Sequence, residues 1–162
     1  MPSDPEIPVR APPLSRALDA AALEGAVGFW LRLAQQQDLR RFNALFAGQG
    51  ITQLLYAILL VVAANPGCRQ SALGARLRIR QPNMVEPIDQ LIGRGLIGRA
   101  PDPRDRRAQT LSLTLAGEAL LAGLRASHDG LTRGYRERLG PERYDQLADL
   151  LRLFVTETGP AS

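Results

Sequence analysis

Nucleophilic, acid–base or metal chemistry needs groups of side chains in reach of one another, and this sequence supplies few. It holds one histidine, His128, and one cysteine, Cys68. Borderline-soft metals want several nitrogen or sulfur ligands, so no metal site is expected. Ser-His-Asp or Cys-His catalysis would have to run through His128 alone, and no two carboxylates pair in a recognisable cleft. The chain therefore reads as a non-enzyme with no cofactor and no catalytic residue. A lone thiol also excludes an intramolecular disulfide.

The arginines carry more information. All 20 basic residues are arginine, set against 16 acids. Nine of them (Arg69, Arg76, Arg78, Arg80, Arg94, Arg99, Arg104, Arg106 and Arg107) share residues 69–107 with only four acids, a local net charge of +5. The rest of the chain sums to −1. A positive excess concentrated in one segment is the electrostatic footprint of a polyanion-binding face. The chemistry to look for is therefore phosphate and base recognition.

The elements that would hold this segment can be read from periodicity. At 162 residues, with 45% apolar and 22% charged, the chain has the usage of one globular domain. Residues 1–14 form a proline-rich arm with no apolar targeting stretch. Residues 15–47 show apolar positions at three- and four-residue spacing, with a break expected near Gln35-Gln36-Gln37. Thr52 is placed to cap a helix through Ala64, and that helix contains the longest apolar run, the 11 residues from Leu54 to Ala64. A bilayer span needs roughly 20, so the run reads as a buried helix and the chain as cytoplasmic with no membrane partner.

Asn65-Pro66-Gly67 is a turn, and a short helix over 70–77 follows it. Pro82 suits the first position of the next helix, where its missing N–H costs nothing. That helix puts Met84, Ile88 and Leu91 on one face and Asn83, Glu86 and Gln90 on the other, and Gly95 closes it. Two helices joined by a short turn, the second with a polar outer face, make a helix-turn-helix. Strands over 96–100 and 109–113 flank a charged tip, residues 101–107. Thr114 caps a long helix to about residue 138, and Gly140-Pro141 opens a last one with Tyr144, Leu147, Leu151 and Phe154 in a stripe.

A helix-turn-helix followed by a basic hairpin is a winged helix. Its second helix fits the major groove, where base edges carry a distinguishable code. Its hairpin reaches a neighbouring minor groove, whose negative potential attracts arginine. Arg104, Arg106 and Arg107 supply that charge, and Asp105 is expected to orient Arg107.

The stretch 67–118 resembles the MarR family of bacterial transcription regulators. The marks are Arg94-Gly95-Leu96-Ile97, the run Asp102-Pro103-Arg104-Asp105-Arg106-Arg107, and Leu113-Thr114 with Ala116-Gly117. The resemblance extends over roughly residues 18–154. It implies a mainly α fold with a small β-hairpin wing, the winged helix-turn-helix (49–114) flanked by dimerisation helices (15–48 and 115–158) in one intertwined unit. It also implies a homodimeric repressor on a pseudo-palindromic DNA duplex, released by a small organic ligand such as an aromatic acid or coenzyme A thioester.

Carried over by position, Gln81, Asn83, Val85, Glu86 and Gln90 fall on the recognition helix, and Arg104, Asp105, Arg106 and Arg107 on the wing. Glu86 and Gln90 stand where many members carry arginine, and Glu86 is able to accept from a cytosine amino group. Pro87, inside the helix, removes one backbone hydrogen bond. The family's effector pocket points to Phe29, Trp30, Phe42, Tyr56 and Arg40, against a reading of the aromatics as core and interface residues. Cys68 reads as a small packed side chain and His128 as solvated or dimer-facing. The alternative function is an architectural or accessory DNA binder that answers no ligand.

Overall fold

The computed structural model describes residues 21–157 apart from Arg104, and of Arg106 and Arg107 it describes the backbone alone. The chain divides into two compact units, 1–36 and 37–162. In the first, helix α1 (Ala21–Glu24) is followed by the start of α2 (Val27–Phe46). The break falls at Gly25-Ala26, and α2 runs unbroken through Gln35-Gln36-Gln37. That corrects the expected break. Glutamine is a good helix former, whereas glycine costs a helix about 1 kcal/mol.

The second unit contains the remainder of α2, then α3 (Gln53–Ala64), β1 (Cys68–Arg69), α4 (Gln70–Leu77) and α5 (Pro82–Gly93). β2 (Ile97–Asp102), β3 (Asp105–Leu113), α6 (Leu115–Leu139) and α7 (Pro141–Glu157) complete it. The core is built on α3, whose Leu55, Ile58, Leu59 and Val62 are buried together with Phe42, Leu73, Met84, Ile88, Leu91, Leu111 and Leu124. Thr52 caps α3 as expected, its Oγ1 accepting from the Leu55 N–H at 3.2 Å.

The sheet is antiparallel in the order β1-β3-β2. β1 was not expected. It forms because Gly67, at φ 79°, turns the chain so that its N–H donates to the Leu111 carbonyl at 2.9 Å. Cys68 and Arg69 then pair with Leu111 and Thr110. β2 and β3 run longer than their sequence expectation, pairing from Ile97↔Leu113 out to Asp102↔Asp105, with an irregularity at Pro101/Asp102.

Two glycines set close approaches. A Cβ on Gly117 would lie 2.1 Å from the Leu96 carbonyl oxygen, and one on Gly74 would lie 2.8 Å from Gln81 Nε2 and 3.0 Å from the Ile79 oxygen. The first lets α6 start directly against the end of α5, where Thr114 Oγ1 both donates to the Gly95 carbonyl and accepts from the Gly117 N–H. The second sets the distance between the two helices of the helix-turn-helix. Among the described residues no single helix is long and apolar enough to cross a membrane.

Candidate nucleic-acid interface

α5 is an amphipathic helix whose inner stripe, Met84, Ile88 and Leu91, has no solvent exposure at all. The helical period then puts Asn83, Val85, Glu86, Asp89 and Gln90 outside, and all five are exposed. Gly95, at φ 67°, ends the helix, and its N–H and that of Leu96 donate to the Ile92 and Leu91 carbonyls. Pro87 sits inside the helix without ending it.

Gln81 is turned inward to the motif. Its Nε2 donates to the Ser71 carbonyl at 3.2 Å and to that of Gln70 at 3.5 Å, bracing α4 against the start of α5. Arg78, at φ 55°, is the non-glycine residue in the left-handed region that makes the turn between them. Its Nη1 donates to the Val155 carbonyl near the end of α7 at 3.0 Å.

Several arginines of the basic segment are structural struts. Arg94 donates to the Gly50 and Gln49 carbonyls at 2.9 and 2.8 Å, tying the end of α5 to the turn before α3. Arg99 on β2 pairs with Asp89 on α5 at 2.7 Å. Arg69 on β1 reaches Asp102 at 2.7 Å and Asp105 at 3.8 Å. Asp102 is buried, and Arg69 meets it beside the hairpin's turn. Arg104 and the side chains of Arg106 and Arg107 lie outside the described residues, as does the expected Asp105–Arg107 pair.

This arrangement, a polar outer helix face beside a hairpin with a cationic tip sequence, has counterparts. The sequence pattern of the MarR family matches residues 49–108. A protein of Thauera aromatica, named as the transcriptional regulatory protein for the hcr operon, is 33% identical over 81% of this chain and 80% of its own length. The chain belongs to the MarR family of winged-helix transcription regulators. The repressor CouR, solved on a 23-mer DNA duplex, is 32% identical, with a TM-score of 0.80 over 86% of this chain and 99% of CouR. CouR bound to p-coumaroyl-CoA is 30% identical, with a TM-score of 0.75 over 86% of this chain and 98% of CouR.

The residues that the MarR resemblance assigns to an effector lie in both units. In the first, Trp30 Nε1 donates to the Glu24 carbonyl at 2.7 Å, and Phe29 meets Trp30 edge-on at 5.4 Å between centroids. In the second, Phe42 and Tyr56 are 2% and 6% exposed and pack at 5.7 Å, so in this conformation both are core residues. Arg40 is exposed and donates to Gln37 Oε1 at 3.2 Å.

His128 lies against the aromatic cluster. It is half-buried, with its ring 5.1 Å from that of Tyr56 and 6.2 Å from that of Phe42. Burial, reinforced by Asp129 and opposed by Arg125, raises the Tyr56 phenol above its usual range. Burial likewise pushes the Cys68 thiol up, which disfavours the reactive thiolate.

Sequence reasoning missed a polar group centred on α2. Asp38 on α2 accepts from Gln53 Nε2 on α3 at 2.6 Å and from the Tyr135 hydroxyl on α6 at 2.9 Å. Arg41 lies over the Tyr135 ring at 5.1 Å. Three helices of the second unit are thereby cross-linked by one carboxylate, a relation between residues 97 apart that no local pattern reveals.

Proposed function

We propose that this MarR-family chain is a homodimeric repressor that binds a pseudo-palindromic duplex operator and is released by a small organic acid or its coenzyme A thioester. The exposed outer face of α5, held beside the hairpin by the Asp89–Arg99 pair, carries the reading. Such a helix has the dimensions of the major groove, and the hairpin arginines would meet the adjacent minor groove. In this reading Asn83, Val85, Glu86 and Gln90 face base edges, while Arg104, Arg106 and Arg107 face the narrower groove, and the protein works in the cytoplasm where the DNA is. CouR's complex with a DNA duplex supports the first half of the proposal, and its complex with p-coumaroyl-CoA the second.

The second copy is supported by α7. Leu147, Leu150, Leu151, Leu153, Phe154 and Val155 are all exposed in the single chain, a helix surface too apolar for solvent. The effector is assigned to the ring cluster around Phe42 and Tyr56. Because these rings are buried, a ligand that reaches them must part α2, α3 and α6, which carry the winged helix. That coupling would lower the population of the DNA-binding arrangement.

A footprint on the DNA upstream of the chain's own gene tests the proposal. Protection of about two helical turns with inverted half-sites is the expected result. Release of that site by p-coumaroyl-CoA or a free aromatic acid would follow in a titration. Salt-sensitive binding with no protected site, or a site that no such ligand releases, would leave an architectural DNA binder instead.

A further inference from the structure

We propose that Glu86 is a specificity residue of the operator-reading helix, accepting a hydrogen bond from a cytosine amino group in the major groove. The assignment rests on the reading of α5 as the helix that enters that groove. α5 carries no basic residue, only Glu86 and Asp89, so its own charge repels phosphate. The two acids are not equivalent. Asp89 is neutralised by Arg99 at 2.7 Å, whereas Glu86 has no ion-pair or hydrogen-bond partner among the described residues.

No structural role of its own accounts for Glu86. With Pro82 as the first helical residue, Glu86 is the fifth, past the third position where a carboxylate would cap the helix and past the first turn where it would answer the dipole. It is exposed and lies opposite the buried stripe of Met84, Ile88 and Leu91, near the middle of the outer face.

The surroundings favour an amino-bearing base. Pro87 has no N–H, so the Asn83 carbonyl one turn earlier lacks its helical donor. Glu86 and the Asn83 carbonyl thus place two acceptors in the first half of α5. In the major groove the donors are the amino groups of cytosine and adenine, and a carboxylate, which has no proton to give, suits cytosine. Adenine presents an acceptor beside its amino group and is matched by an amide instead. Val85, 46% exposed beside Glu86, offers an apolar surface of the kind that meets a thymine methyl.

The test is selection from a random duplex pool by the full-length wild type, Glu86→Ala and Glu86→Gln, with sequencing of the bound DNA. Glu86 is exposed and makes no hydrogen bond or ion pair among the described residues, so both variants should fold, which circular dichroism checks. The wild type should enrich a C·G pair at one symmetric position in each half-site. Glu86→Ala should lose about tenfold of the preference at that position and keep the others. Glu86→Gln should move the preference there toward adenine. Identical base preferences in wild type and Glu86→Ala, with a uniform gain in affinity, would make Glu86 a solvated charge and overturn the assignment. A wild type that enriches no sequence overturns the operator reading itself, and this assignment with it.

Discussion

Arg69 and Asp102 lie 33 residues apart and meet across the whole width of the sheet. Arg69 belongs to the edge strand β1, Asp102 ends β2, and β3 runs between them. The guanidinium gives Asp102 Oδ2 both an Nε–H bond and an Nη2 contact at 2.7 Å, while Nη2 approaches Asp105 on the other side of the hairpin's turn. Arg69 also precedes α4 as its N-cap residue. One side chain therefore ties the start of the first helix of the helix-turn-helix to the turn end of the wing hairpin.

Arg69→Met should separate stability from wing placement. Asp102 is nearly buried while Arg69 is partly exposed, so loss of the pair should cost about 1–2 kcal/mol, between the figures for buried and surface pairs. Urea denaturation would read that as a lowered midpoint. Affinity for an operator duplex should fall further, under conditions where the variant is fully folded. Unchanged affinity in the folded variant would show that Arg69 does not aim the wing.

The parts of this fold that sequence made legible are those with a local signature. The stripe of Met84, Ile88 and Leu91, the Thr52 and Thr114 caps and the Gly95 stop each act within one or two helical turns, so spacing alone reveals them. β1 is different. Two residues have no periodicity, and Cys68-Arg69 becomes a strand only because β3 offers a free edge. Arg69–Asp102, Asp38–Tyr135 and the packing of His128 on Tyr56 are long-range relations with no local trace. Of the site, the helix and hairpin were legible as a motif, but the diversion of Gln81, Arg94 and Arg99 into bracing was not. A polar residue's type does not say whether it faces a ligand or its own backbone.

Gly117 and Gly123 lie on the same helix and should respond oppositely to alanine. At Gly117 the new Cβ would sit 2.1 Å from a backbone oxygen, so α6 must move away from Leu96. The expected cost is about 3 kcal/mol or more. At Gly123 nothing lies within 4 Å, and alanine should stabilise by up to about 1 kcal/mol through helix propensity. Thermal melts of the two variants should bracket the wild type, and a Gly117→Ala variant that melts with the wild type would refute the close approach.

Alkaline pH should weaken the fold through Tyr135. Burial, then the hydrogen bond and charge of Asp38, raise its pKa, with Arg41 opposing. The folded state thus holds the phenol proton more tightly than the unfolded chain. Its contribution is complete below a pH of about 10 and is lost as pH rises through the raised folded value. The chain has no lysine and arginine stays charged, so the Tyr135 phenol acts against few other titrating side chains in this window. Between about pH 9 and about pH 11 the urea midpoint of Tyr135→Phe should therefore fall less than that of the wild type. Equal falls would remove Tyr135 from the account.

The apolar surface of α7 predicts the oligomeric state. Leu150 is 63% exposed in the single chain, so Leu150→Glu leaves the core untouched while placing a charge in the proposed interface. The wild type should sediment as a dimer and the variant at the mass of one chain, with its helical circular dichroism retained. A variant that remains dimeric would move the interface off this face of α7.

Arg107 is the wing residue on which the minor-groove reading stands, and salt distinguishes its role from that of the α5 face. A cation that displaces condensed counterions contributes about 0.9 to the slope of log affinity against log salt, whatever the base sequence. Arg107→Ala should therefore weaken binding to operator and mismatched duplexes alike and flatten the slope by about one. Asn83→Ala should do the reverse, leaving the slope in place and narrowing the gap between operator and mismatched DNA. Titrations at several salt concentrations on both duplexes read the two effects separately. If Arg107→Ala left the slope intact, Arg107 would lie away from the groove, and the positive excess of residues 69–107 would have to act through its other arginines.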